Sequence, residues 1–192
     1  MTYLIFDTET SGLPDYNLSL TDPKQPRILQ LGFAICDESG REAHLHKIPI
    51  KPEGFEVDET GIAFRVNGLG NHYLNKYGVP MSEALAMFKA AAALTTMKVA
   101  HNYRFDGFLM KCEYERLGLD SGPIMERYCT MNGMKQTGRL TSVKLSECVR
   151  LATGKELEGA HDALADVRGC KDVFFWLKSN GLFQPQPRKE AA

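Results

Sequence analysis

The chain is 192 residues long with a formal net charge of −1; 43% of its residues are hydrophobic and 24% are charged. That length and balance describe one packed domain with a real core, and they exclude fibrous, disordered and generally polyanion-binding chains. Apolar runs break off well before the roughly 18 residues that a membrane-crossing helix needs. Met1-Thr2-Tyr3 leads directly into strand-like sequence, so a cytoplasmic protein without a membrane anchor is expected. The five cysteines (Cys36, Cys112, Cys129, Cys148, Cys170) are odd in number and form no CxxC pair. They read as reduced, half-buried core residues rather than disulfide or zinc partners.

Tyr3-Leu4-Ile5-Phe6 is a short β-prone run, the pattern of a central strand buried on both faces, and it ends on Asp7 and Glu9. Residues 14–26 ("PDYNLSLTDPKQP") hold three prolines and form a loop. "RILQLGFAIC" and "REAHLHKIPI" are the next strands, joined at Asp37-Glu38-Ser39-Gly40, and with the first they predict an antiparallel meander. An acidic loop with Glu53, Glu56, Asp58 and Glu59 precedes a helix, "SEALAMFKAAAAL", for which Ser82 is the candidate cap. "MKVAH" is a fourth strand, and "FDGFLMKCEYERLG" a helix ending near Gly118. "SVKLSECVRLATG" and "DALADVRGCKDVFFWLKSNG" are helices closed by Gly154 and Gly181. The order fits an α/β domain, residues 1–183, with a mixed sheet and helices on both faces; residues 184–192 ("QPQPRKEAA") form a frayed tail. Arg127, Lys135, Arg139, Lys144, Arg150 and Lys155 face only Glu147 in their stretch, so one basic face and ordinary solvated cations are both open readings.

Three stretches carry chemistry. Asp7 and Glu9 alternate to the same side of a strand, about 6 to 7 Å apart, close enough to share a ligand. Like charges so close are relieved by a raised pKa, a basic partner or a cation. Asp106, in "AHNYRFDGFLM", stands where a helix begins, a place the helix dipole favours for acids. In "HDALADVRGC", His161 precedes a helix that contains Asp166, and Asp162 is a candidate cap. Each alone has a plain structural explanation.

Together and in this order, they resemble the DnaQ-like 3′→5′ exonuclease superfamily, in its DEDDh subgroup. Asp7-Thr8-Glu9 is similar to the first motif, DxE. His101-Asn102-Tyr103-Arg104-Phe105-Asp106 is similar to HNxxFD, and His161-Asp162-Ala163-Leu164-Ala165-Asp166 to HxAxxD. The sister DEDDy group has a tyrosine four residues before the last aspartate; that position here is Asp162, and His161 holds the histidine place. The resemblance spans residues 3–177, with a 14–26 loop longer than in the simplest members.

The resemblance implies an RNase H-like mixed five-stranded sheet and a 3′→5′ exodeoxyribonuclease that releases nucleoside 5′-monophosphates. It implies that Asp7, Glu9, Asp106 and Asp166 hold two divalent cations, Mg²⁺ or Mn²⁺, hard ions suited to a carboxylate set without cysteine. Asp7 would bridge both, Glu9 and Asp166 would complete the site that orients water, and Asp106 would assist the second. His161 would be the general base. Thr10, Gly12, Leu13, His101, Asn102 and Phe105 are the expected nucleic-acid contacts. A core position competes for Leu13 and Phe105, and an orienting or structural role for His101 and Asn102. Lys98, Arg104, Arg139 and Lys144 are candidate phosphate contacts. The expected partner is nucleic acid with a 3′ end, DNA favoured over RNA, with a DNA polymerase as a candidate second partner. A compact chain of this kind suits a bacterium or a bacteriophage. The rivals are an exoribonuclease of the same subgroup, similar to RNase T or oligoribonuclease, and a non-catalytic nucleic-acid-binding module. A glycosidase-like carboxylate pair would leave Asp106, His161 and Asp166 unexplained.

Overall fold

In the computed structural model, which describes residues 1–122, 125–140 and 143–184, the first strand runs on through the acidic motif. β1 spans Tyr3–Thr10, so Asp7 and Glu9 lie within the strand. β2 (Ile28–Cys36), buried at every position, returns antiparallel to it, and β3 (Glu42–Pro49) is antiparallel to β2, which completes the expected meander. The chain continues as α1 (Ile62–Asn67), α2 (Asn71–Tyr77), α3 (Met81–Ala93), β4 (Met97–Ala100) and α4 (Tyr103–Arg116). It ends with β5 (Glu126–Cys129), α5 (Thr130–Thr137), α6 (Leu145–Thr153) and α7 (Ala163–Ser179). β4 is parallel to β1 and β5 parallel to β4, so the order β3-β2-β1-β4-β5 makes β1 the central strand of a mixed five-stranded sheet.

Alternation along β1 divides the core. Leu4 and Phe6 enter one cluster with Phe33, Leu85, Phe88 and Leu109, which packs α3 and α4 on that face. Tyr3 and Ile5 enter a second with Val99, Val167, Val173 and Leu177, which packs α7 on the other. The same period of two sends Asp7 and Glu9 to the α7 side and Thr8 to the α4 side. Helices therefore cover both faces, and the acidic strand end lies between two of them.

β2 fixes where α7 begins. Gln30, buried opposite Glu9, accepts a hydrogen bond at Oε1 from the Ala163 N–H at 3.0 Å. Gly32, opposite Asp7, lets the α7 backbone come so near that a Cβ there would lie 2.6 Å from the Ala163 carbonyl oxygen. Asp162 caps α7 as its position predicted: its Oδ1 accepts from the N–H groups of Leu164 and Ala165.

Four differences from the sequence reading have physical reasons. α1, α2, β5 and α5 are short, and α1 and α2 are bracketed by Gly61, Gly68, Gly70 and Gly78, so no helical period could build up; α1 buries no residue at all. Ser82 is not the cap of α3. Pro80 holds that position with φ −54°, and its carbonyl accepts from Glu83 and Ala84, which puts Ser82 in the first turn. The cysteines are free, as expected, but buried rather than half-buried. The basic residues of 127–155 do not share one face: Arg127 lies over Tyr103 on the α4 side, and Arg139 over Trp176 on the α7 side.

Among the described residues no helix is long and apolar enough to cross a membrane. The expected tail lies outside the described residues beyond Gln184, and so does Ser142, expected to open the helix that starts at Leu145. Gly32→Ala is expected to cost about 1–3 kcal/mol by overpacking β2 against α7. Urea unfolding checks this, and an unchanged midpoint would contradict the docking role.

Candidate active site

A cleft of about 640 Å³ opens at the end of β1, and Asp7, Glu9, Asp106, His161 and Asp166 all line it. Thr10, Leu13, His101 and Phe105 line it as well; Gly12 and Asn102 are not in its wall. Gly12 instead offers its carbonyl to the Thr10 hydroxyl at 2.8 Å, and Asn102 is the left-handed residue from which α4 starts.

Each acid is placed by a neighbouring backbone. β4 pairs with β1 only as far as Val99 opposite Ile5, so the Thr8 N–H has no strand partner on that edge. Asp106, reaching down from α4, accepts it at Oδ1 at 3.0 Å and the Thr8 hydroxyl on the same oxygen at 2.8 Å. Asp166 Oδ2 accepts the N–H of His161 at 3.0 Å. His161 (φ 68°) and Asn102 (φ 62°) are, among the described residues, the non-glycine residues with left-handed backbone, and both belong to the motifs. Such conformations are uncommon and gather at functional sites. His161 is exposed, and one of its ring nitrogens lies within 4.8 Å of carboxylate oxygens of Glu9 and Asp166.

His101 is oriented rather than free. Its Nε2 donates to the Val143 carbonyl at 2.8 Å, which leaves Nδ1 to accept from the Thr130 hydroxyl at 2.9 Å. Burial holds its pKa below the usual imidazole value, against the Val143 bond. Leu13 is 86% exposed, which removes the core reading, whereas Phe105 packs partly against the α3–α4 cluster while lining the cleft.

The electrostatics are lopsided. Asp7 is held well above the usual carboxylate range, first by burial and then by Asp106, Asp166 and Glu9. Burial, followed by Asp166 and Asp106, pushes Glu9 up to about 7, although a hydrogen bond from Asn67 opposes the shift. Burial raises Asp106 to about 7 despite the two Thr8 bonds, and raises Asp166 despite the His161 N–H. Among the described residues no lysine or arginine pairs with any of the four. The adjoining Asp162 does have one, Lys47 at 2.6 Å. Buried, uncompensated carboxylates that converge on one cleft are a donor set for a hard divalent cation.

One wall was not foreseen. Ile62, Ala63, Val66 and Asn67 of α1 line the cleft, and Ile62 and Val66 are 74% and 48% exposed. Asn67 donates to the Thr10 carbonyl at 3.0 Å and thereby ties α1 to the strand that carries the acids. The available signal was an apolar pair four residues apart in a segment with no other core-forming pattern.

No protein-family model matches the chain, and no curated protein matches it by sequence. Solved structures match its fold. E. coli exonuclease I in complex with a dA16 oligonucleotide aligns at a TM-score of 0.76 and 20% identity, over 94% of this chain and 42% of that one. The zinc-bound form of an E. coli exonuclease I–ssDNA complex aligns at 0.75 and 20% identity, over 93% and 40%. Exonuclease I from Methylocaldum szegediense aligns at 0.73 and 21% identity, over 93% and 40%. The chain thus has the RNase H-like α/β fold that its motifs implied. It spans about two fifths of the length of the exonuclease I chains it matches.

The raised carboxylates set a direction for stability. The folded, metal-free protein retains protons that an unfolded chain releases near pH 4, so their contribution is complete below that value. It is lost as pH rises through about 7, where Glu9 and Asp106 ionise. Metal-free protein is expected to melt on the order of 5 °C lower at pH 8.5 than at pH 5.5, with Mn²⁺ restoring most of the difference at pH 8.5. Thermal melts with EDTA and with Mn²⁺ check both; greater metal-free stability at the higher pH would contradict the charge assignment.

Proposed function

We propose that the chain is a divalent-metal-dependent 3′→5′ exonuclease that releases nucleoside 5′-monophosphates from unpaired 3′ ends of DNA. The observation that carries it is the convergence of Asp7, Glu9, Asp106 and Asp166, with no basic partner among the described residues, on a cleft in the fold of exonuclease I. These four would hold two Mg²⁺ or Mn²⁺ ions, with Asp7 common to both. When bound, the ions supply charge neutralisation at the scissile phosphate and at the leaving 3′ oxygen, and a lowered water pKa.

The chain's own residues do the rest. Thr8 fixes the Asp106 carboxylate and the His161 N–H fixes Asp166, so these acids are oriented before substrate arrives and no reorganisation is needed. The His161 imidazole stands beside Glu9 and Asp166 at the exposed side of the cleft and accepts the proton of the attacking water. Leu13, Ile62 and Val66 give the terminal base an apolar surface, and Thr10 lines the same cleft. DNA is the favoured substrate because exonuclease I complexes hold DNA oligonucleotides. The free, buried cysteines suit a reducing cytoplasm, and a polymerase is a candidate partner.

Labelled single-stranded DNA and RNA of one sequence, offered side by side with Mg²⁺ or Mn²⁺, test the reading. DNA is expected to shorten from its 3′ end, and EDTA to stop it. Asp7→Asn is expected to abolish cleavage, and His161→Ala to lower turnover by roughly 100-fold or more while DNA still binds. Cleavage that survives EDTA or Asp7→Asn would overturn the metal site; near wild-type turnover by His161→Ala would overturn the base.

A further inference from the structure

The 14–26 loop is long, yet it is tied down. Gln25, 2% exposed, donates through Nε2 to the Asp15 carbonyl at 2.6 Å and accepts the Asp15 N–H at Oε1 at 3.2 Å. Arg116, on α4, donates to the carbonyls of Gln25 at 2.9 Å and Pro26 at 3.2 Å. The loop so fixed sets Tyr16 against α4. Its ring meets Phe108 edge-on at 4.8 Å, and the Arg104 guanidinium lies over it, 4.0 Å from the centroid.

Three properties make this pair a ligand surface rather than a packing detail. Arg104 is exposed and, among the described residues, pairs with no carboxylate, so its N–H edge is free for an anion. Tyr16 is 39% exposed, more than a packing residue needs. The pair also adjoins the cleft wall along the chain: Arg104 directly precedes Phe105 and Tyr16 follows Leu13 by three residues, and Phe105 and Leu13 line the cleft. A guanidinium held flat on an aromatic ring offers planar, bidentate donors that match a phosphate, and an exposed ring beside it offers a face to a base. Two other candidate cations are placed differently, Arg139 over Trp176 on the α7 side and Lys98 over Phe88. A cleft of uncompensated acids needs cations near it to admit a polyanion, and the exposed Arg104 stands next in the chain to the cleft-lining Phe105.

We infer that Tyr16 and Arg104 form a further nucleotide subsite, which grips a single strand upstream of the two nucleotides that flank the bond laid over Asp7, with Arg104 on a phosphate and Tyr16 on a base. This rests on the nuclease reading above. It makes affinity depend on strand length: a dinucleotide fills the cleft alone, and a longer strand also reaches the subsite.

Fluorescence anisotropy tests this with a 5′-labelled thymidine dinucleotide and dodecanucleotide, on full-length protein with Mg²⁺, every variant built on Asp7→Asn so that strands stay intact. Arg104→Gln and Tyr16→Ala are each expected to lower the dodecamer-to-dinucleotide affinity ratio by about tenfold. Arg104→Gln should also flatten the salt dependence of dodecamer binding by about one unit of slope. Arg104→Lys is expected to recover part of the loss and Tyr16→Phe nearly all of it. Should Tyr16→Ala fail to fold, the Arg104 variants decide. An unchanged ratio in these variants, or no binding of the dodecamer at all, overturns the subsite. Cleavage by the chain with Asp7 intact is read separately. Cleavage with an unchanged ratio removes the subsite alone, whereas length-dependent binding without cleavage removes the nuclease and keeps the subsite.

Discussion

Four carboxylates brought together largely out of water, with no lysine or arginine paired to them among the described residues, are the constraint around which this molecule is organised. Burial and mutual repulsion act on them in the same direction, and among the described residues no lysine or arginine relieves either. Where a counter-charge is affordable it is present, as Lys47 on Asp162, one residue away from the motif histidine. The omission at the four acids is therefore selective, and it leaves a charge deficit that a hard cation is suited to fill.

The fold meets this constraint with rigid backbone. Asp7 and Glu9 ride on the central strand, whose apolar neighbours on both faces cannot shift without opening a cluster. Asp106 is held by a strand N–H that the sheet leaves unpaired because β4 stops short. Asp166 is set by the docking of α7 on Gln30 and Gly32, and by the N–H of a residue held in left-handed backbone. Side chains that repel one another are thus fixed from three directions by parts of the chain that carry no charge.

Much of this was legible in the sequence, for reasons that can be named. The apolar run before Asp7, the alternation of DxE, the cap at Asp162 and the left-handed ends at Gly154 and Gly181 are local signals, and local signals survive folding. The carboxylate set could be assembled only because three motifs occur in a known order. Spacing alone does not bring Asp106 to Thr8 across 98 positions. α1 and α5 were hidden because six to eight residues cannot display a 3.6-residue period, and β5 because its four residues lie half exposed at the sheet edge. The reading of one basic face failed for a different reason: charge along a chain says nothing about which side of a sheet it reaches.

The helix α1 buries nothing, yet two of its apolar side chains form a wall of the cleft. A wall that contributes no core can change its residues at little cost to folding, so natural variation there is free to track the shape of whatever lies in the cleft. The acids have no such freedom, held as they are by strand and helix ends. Under the proposed function, chemistry and selectivity would be housed in parts of the chain with unequal tolerance for mutation, so that the wall could change its fit while the acids stay as they are.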